Sequence, residues 1–375
     1  MNPVVSLLSD LVAIPSMNPM GRGRSGPEYS EQSLAEFICS YLRKHSLDAE
    51  MQPGIPGRPN IVGHVSVGAT QTILLEAHLD TVYADSMTIK PFDPLVRDGN
   101  LFGRGSCDTK GSIAAFLQAV TNAAKKAGKV RYNIILLFVS DEEYRFAGAQ
   151  HAVKKGLQAD FGIVGEPTQL RIVRAHKGVT RWKILTNGIA AHSAHPERGR
   201  NAIYSMSKIV GRLETYAAEL NSAAPHPVLG SPSLSVGVIE GGQAVNIVPD
   251  RCWIEIDRRT LPNESMQTVI EPVRSLLHGL SDWEMKEPHL SVSGMEVSAT
   301  APVVQALTGA VKPVRGDVVV EGAHYATDAG IYNAVGIPTV VFGPGDIAQA
   351  HTDTEYISLE QLDDAVAIIE RLLTS

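Results

Sequence analysis

The chain has 375 residues, with 40 acidic against 33 basic side chains for a formal charge of −7, and 44% hydrophobic content. Such a composition buries a core, is long enough for two domains and excludes a disordered polymer. Twelve histidines stand against three scattered cysteines, Cys39, Cys107 and Cys252, which excludes a disulfide framework, leaves His and carboxylate as the ligands of any metal site, and points to a reducing, cytoplasmic setting.

The opening residues 1–16 lack a cationic leader region and are interrupted by Ser9, Asp10 and Pro15, so they read as a short amphipathic helix and not a signal peptide. A second helix is expected over Ser30–Arg43, with apolar Leu34, Phe37, Ile38, Tyr41 and Leu42. Short apolar strands follow at Thr72–Ala77, Tyr132–Ser140 and Phe161–Val164, with a helix at Gly111–Lys126. Strands of that kind are buried on both faces, the signature of a largely parallel sheet in an α/β domain. The longest apolar run, Ile134 to Val139, is far below the roughly 18 residues of a membrane span. An acidic balance without a Lys/Arg cluster argues against nucleic acid or an anionic membrane as partner and leaves a small molecule.

From about Val179 the rhythm changes. Arg181–Leu185 reads as a strand, Asn201–Leu220 as a helix, Leu234–Ile239 and Cys252–Arg258 as strands, Glu264–Leu280 as a helix and His289–Ser293 as a strand. The order β-α-β-β-α-β is that of a ferredoxin-like α+β domain. After Gly294 the first pattern returns, with a Pro338–Phe342 strand and a last helix from Ser358. The expected organisation is a catalytic domain in two parts, 1–178 and 295–375, with an inserted domain at 179–294.

Each strand of the larger domain runs into ligand-type residues. Thr72–Ala77 leads to His78 and Asp80, Tyr132–Ser140 to Asp141, Glu142 and Glu143, Phe161–Val164 to Glu166, and Pro338–Phe342 to a Gly-Pro-Gly turn and then His351. In open α/β sheets sites lie at the carboxyl ends of the strands, so four strands deliver metal-ligand chemistry to one edge. His78 and Asp80 are two apart and share a side, which suits Asp80 as the orienter of a ligating His. Glu142 and Glu143 point apart, so one can bind metal while the other stays free as a base; taken alone, the pair also reads as a solvated loop. The segment Leu101–Gly111 precedes a helix but lacks the spacing of a phosphate loop, and Asp108 at its mouth suits a cation.

With these motifs the chain resembles the dinuclear zinc amidohydrolases and exopeptidases that include acetylornithine deacetylase, succinyl-diaminopimelate desuccinylase, aminoacylase and the glutamate-releasing bacterial carboxypeptidase. The likeness runs from the Leu-Val-Ala-Ile-Pro-Ser of the first helix to the Ala-His-Thr-Asp-Thr-Glu at 350–355. The resemblance implies two Zn²⁺ per chain, with Co²⁺ or Mn²⁺ as substitutes. It makes Asp108 the bridging carboxylate, His78 and Glu166 the ligands of one metal, and Glu143 and His351 those of the other. Glu142 becomes the general base, Asp80 the partner of His78, and a cis peptide is implied at Asp108–Thr109. In the inserted domain, His192 becomes the group that polarises the scissile carbonyl, reaching the other subunit's site in relatives, and Asn246 a substrate contact. A lid role and a homodimer through that domain are implied with them. On the Cys252–Arg258 strand, Cys252, Ile254 and Ile256 share one face and Glu255, Asp257 and Arg259 the other; the family's carboxylate-binding arginine falls on Arg259.

The implied activity is hydrolysis of the amide bond of N-acyl amino acids by a zinc-activated water. The alternative is a carboxypeptidase or dipeptidase with the same centre, and a further one an inactive metal-binding scaffold. One departure stands out: after Glu143, where the family usually has small residues, this chain has Tyr144-Arg145-Phe146. This bulk and the loop Glu321–Asp328 are expected to shape the pocket.

Overall fold

The computed structural model describes residues 2–126 and 128–374. It divides into two compact units. The first comprises the chain up to Arg174, Val297–Glu321 and the chain from Thr327; the second comprises Ala175–Glu296 and Gly322–Ala326. The hydrophobic pattern gave no sign that 322–326 group with the second unit.

Four strands at the centre of the first unit are parallel neighbours in the order Asn133–Val139, Thr72–His78, Phe161–Val164 and Thr339–Val341. They are the four apolar runs read from the sequence. Both faces are covered: Ile73, Leu74, Leu75, Leu137, Phe138, Val139, Ile163, Val340 and Val341 are all fully buried. Such strands have no polar face to show, which is why they appear as continuous apolar runs. Helix Lys110–Ala124 is buried along almost its whole length and packs on Thr72–His78, Leu359–Thr374 and Pro3–Val12.

The sheet also has an antiparallel extension that the apolar pattern did not signal. Asp48–Ile55 and Arg58–Val65 form a hairpin, and Arg58–Val65 pairs antiparallel with Asn133–Val139. Arg58-Pro59-Asn60 has poor strand propensity. Distant partners hold it instead: Asn60 donates to the carbonyl of Gly148 and accepts from the backbone N–H of Ser140, and Arg58 binds Glu31 and Asp141.

The second unit is an antiparallel sheet in the order Ser233–Gly241, Arg251–Thr260, Gly178–Asn187, with Trp283–Met285 and Leu290–Val292 both on the last of these. The final strand expected at His289–Ser293 is thus two short pieces, and Pro288, which cannot donate to a ladder, lies in the interruption. With helices Ala202–Ser222 and Met266–Leu276 the order is β-α-β-β-α-β, a ferredoxin-like domain. Ser265 caps the second helix in a capping box with Thr268. One sheet face, carrying Trp182, Ile184, Cys252, Ile254 and Ile256, packs on Met206, Ile209, Leu213, Val269 and Val273. Among the described residues, no helix is long and apolar enough to cross a membrane.

All three tryptophans, Trp182, Trp253 and Trp283, lie in the second unit, so their fluorescence reports on it selectively. Ile254→Ala, in the middle of that core, is expected to cost about 2–5 kcal/mol. Urea unfolding followed by tryptophan fluorescence should show the lowered midpoint.

Candidate metal centre

Because the four parallel strands end at one edge, their registers bring the following residues together. His78 closes its strand opposite Val139, and Glu76 lies opposite Val164. Two residues beyond those partners come Asp141 and Glu166. Asp108 arrives from the loop ahead of helix Lys110–Ala124, and the peptide bond Asp108–Thr109 is cis. His351, in a left-handed conformation (φ 62°), follows the short turn Ile347–Gln349.

Asp108 lies between two histidines. Its Oδ1 is 3.0 Å from His78 Nε2 and its Oδ2 3.1 Å from His351 Nε2. His78 Nε2 is 3.8 Å from Glu166 Oε1, and His351 Nε2 is 3.2 Å from Glu143 Oε1. Potential ligand atoms of His78, Asp108 and Glu143 lie within 4.8 Å of one another. Imidazole nitrogen and carboxylate oxygen suit a borderline divalent cation.

The electrostatics agree. Burial raises Glu142, Glu143 and Glu166 above the usual carboxylate range, and neighbouring carboxylates push the same way. Against the effect of burial, hydrogen bonds from His351 and His78 hold Asp108 low. Hydrogen bonds to Asp108 and Glu143 push His351 up to about 10. Several carboxylates are therefore buried against only two imidazoles, a deficit of positive charge that divalent cations fit.

Two further carboxylates, Asp80 and Glu355, hold the backbone around these residues. Asp80 accepts the N–H groups of Glu142 and Glu143, both at 3.1 Å, and the side-chain amide of Asn18 at 2.7 Å. The expected side-chain contact to His78 needs a correction: His78 Nδ1 donates to the backbone carbonyl of Asp80 at 2.8 Å, while the carboxylate Oδ1 stands 3.8 Å away. The contact of Asp80 with His78 is thus made by its main chain, while its carboxylate accepts the two backbone amides and Asn18. Glu355, fully buried, accepts the N–H groups of Cys107 (2.9 Å) and Asp108 (3.0 Å) on one oxygen, and Arg104 (2.6 Å) and the N–H of Gly105 (3.0 Å) on the other.

Sequence reasoning missed Glu355 as a support, although it closes the quoted His351–Glu355 motif. It also missed Asn18 and the buried Arg58, which joins Glu31 to Asp141 and stands 3.9 Å from Asp80. Glu76 and Asp328 escaped notice as well; burial raises Glu76 far above its ordinary value and Asp328 to about 7.

The remaining candidates lie in the second unit. His192 is exposed, and its Nδ1 accepts the N–H of Ala194 at 3.1 Å, leaving Nε2 to carry the proton. The backbone carbonyl of Asn246 accepts the N–H of Ser193, the residue after His192, at 3.0 Å. Arg259 falls on the open face of its strand, where Asp257 engages its Nε at 2.8 Å; Asp257 also binds Arg181 at 2.8 Å.

Residues 74–375 match the model of peptidase family M20/M25/M40. The chain belongs to that family. Among curated proteins it is 30% identical to acetylornithine deacetylase of Edwardsiella ictaluri, over 98% of this chain and 96% of the relative. It is 33% identical to that of Myxococcus xanthus, over 80% and 78%. Among solved structures, an M20 family metallo-carboxypeptidase from Sulfolobus solfataricus shares the fold with a TM-score of 0.84 at 21% identity, covering 100% of this chain and 99% of that one. A dinuclear metal binding peptidase of the family from Bacillus subtilis does so with 0.71 at 16%, covering 99% and 96%. The chain is thus a hydrolase with the mixed α/β family fold, and its clustered His and carboxylate residues fit metal cofactors.

If Glu355 fixes the loop that presents Asp108, Glu355→Ala should weaken metal binding by about 10–100-fold, the usual loss when a group supporting a ligand is removed. Titration of the metal-free protein with Zn²⁺ or Co²⁺ measures it.

Proposed function

We propose that the protein hydrolyses the amide bond of N-acyl amino acids at a two-zinc centre. The observation that carries this reading is Asp108, with one carboxylate oxygen toward His78 and the other toward His351, as a carboxylate shared by two cations requires. Asp108, His78 and Glu166 would hold one ion, and Asp108, Glu143 and His351 the other. When bound, such ions lower the pKa of water and polarise a carbonyl oxygen. The curated relatives named acetylornithine deacetylase, similar over nearly the whole chain, support the deacylase reading.

The residues divide the work as follows. Glu142 takes a proton from the attacking water and delivers it to the leaving amine. Its main chain is tied to Asp80, while the Glu143 carboxylate lies 3.2 Å from His351 Nε2. His192, donating from Nε2, stabilises the oxyanion that develops on the carbonyl, and Arg259 and Asn246 hold the substrate's carboxylate end. Asp257 must share Arg259 with that carboxylate. A metallo-exopeptidase acting on a peptide bond is the second reading, favoured by the peptidases that share the fold. An inactive scaffold would leave a gap among the five proposed ligands or the base, and the sequence has a suitable residue at each of these positions.

We take the protein to be cytoplasmic and a homodimer through the inserted domain. Strand Ser233–Gly241 ends its sheet, and it exposes Val238 and Ile239; Ile203 and Tyr204 are exposed on helix Ala202–Ser222. An apolar sheet edge left bare invites pairing with a second copy.

Glu142→Ala should lower turnover of N-acyl amino acids by about 10²–10⁴-fold with metal still bound; a loss under about tenfold would remove it as the base. Assays of N-acetyl-ornithine, N-succinyl-diaminopimelate and a dipeptide panel on one zinc-loaded preparation separate deacylase from peptidase. Ile239→Glu should shift the protein to monomer in sedimentation velocity, and a wild type that already sediments as monomer would refute the dimer.

A further inference from the structure

The bulky segment after Glu143 is the feature that the proposed chemistry leaves unexplained. Asp141 and Phe146 both have left-handed backbone (φ 66° and 58°), and the N–H groups of Arg145 and Phe146 return to the carbonyl of Asp141 at 3.1 and 2.7 Å. Phe146 is buried and anchors this turn, whereas Arg145 is exposed. The Arg145 guanidinium lies 4.8 Å from the centre of the Tyr144 ring. Glu143 therefore leads directly into an aromatic ring carrying a cation.

A second segment reaches the same place. Asn18 binds Asp80 and Asp141, and the chain beyond it turns through left-handed Met20, Gly21 and Gly23. Tyr83, three residues past Asp80, donates to the carbonyl of Pro19 at 2.6 Å. Gly21 approaches Tyr144 so closely that a Cβ there would stand 2.6 Å from its hydroxyl. On the Tyr83 ring lie Arg22, at 5.3 Å, and Arg24, at 4.2 Å. Asp85 holds Arg24 at 2.5 Å, but no carboxylate lies within ion-pair distance of Arg22 or Arg145 among the described residues.

In a chain with an excess of acidic groups, two guanidiniums are thus kept on tyrosines of the segments that carry Asp80 and Glu143, with no carboxylate among the described residues in ion-pair distance; Arg145 also donates from Nη2 to the Tyr144 hydroxyl at 3.4 Å. Stacking leaves the edge of a guanidinium free to meet a carboxylate. We propose that Arg22 and Arg145 form an anion-selecting rim beside the metal centre, so that the preferred N-acyl amino acids carry an additional carboxylate, in the acyl group or in the side chain. A cationic side chain, such as that of acetylornithine, meets repulsion at this rim. The inference rests on the deacylase reading and narrows its substrate class.

The test compares kcat/KM of the zinc-loaded enzyme for N-succinyl-alanine, N-acetyl-glutamate, N-acetyl-alanine and N-acetyl-ornithine. The first two place the extra carboxylate on the acyl and the side-chain end. At least one should exceed N-acetyl-ornithine by about tenfold or more, the scale of a charge-assisted hydrogen bond. That preference should shrink as added salt shortens the screening length. The double variant Arg22→Gln/Arg145→Gln should narrow the ratio of anionic to cationic substrate about tenfold, Arg22→Lys/Arg145→Lys should restore part of it, and Arg145→Glu should invert it. Circular dichroism confirms that each variant is folded. Preference for N-acetyl-ornithine over both anionic substrates, or a ratio unmoved by the glutamine pair, overturns the rim while leaving the deacylase reading intact. Hydrolysis of none of the four overturns the deacylase reading and the rim with it.

Discussion

Asp108 presents one oxygen to His78 and the other to His351, and the architecture around it serves to keep a carboxylate in that position. The two histidines come from distant parts of the chain, one closing a central strand and the other following the last strand of the parallel set. A shared carboxylate between them works only if its own backbone cannot drift. Glu355 supplies that constraint by accepting the N–H groups of Cys107 and Asp108, and its second oxygen is held by Arg104 and Gly105. Asp80 does the same for Glu142 and Glu143. Two carboxylates are thus used as clamps on backbone amides, a charge-assisted contact stronger than a neutral one.

This arrangement concentrates negative charge where water is scarce. Glu142, Glu143 and Glu166 are all raised by burial, and Glu76 lies fully buried two residues before His78. A divalent ion held among these carboxylates would offset part of that charge, and by binding only the folded chain it would couple metal binding to folding of the first unit. The parallel strands around the centre, buried on both faces, give it the stiffness that such a concentration of like charge demands.

The parts of the fold legible in the sequence were those with a strong local pattern. Fully buried strands appear as unbroken apolar runs, and the alternation along Arg251–Thr260 placed Arg259 on the open face, where it lies. The same alternation puts Asp257 beside it, yet that ion pair was not foreseen. Arg58–Val65 was missed because its polar residues are stabilised by Glu31, Asp141, Ser140 and Gly148, none of them near in sequence. The spacing of His78 and Asp80 showed that they act together but not through which atom; the backbone carbonyl makes the contact, while the carboxylate is occupied elsewhere.

By itself, the sequence determined the fold class, the order of the strands that carry chemistry and the residue types available for a metal, because hydrophobic periodicity and the residues at strand ends are local properties. Only the tertiary structure decided which oxygen faces which histidine, which carboxylates act as clamps, and that Arg22 and Arg145 rest on tyrosines with no carboxylate among the described residues in ion-pair distance. Those features depend on contacts between residues far apart in the chain, such as Glu355 with Asp108, and no local pattern records a partner that folding alone brings within hydrogen-bond distance.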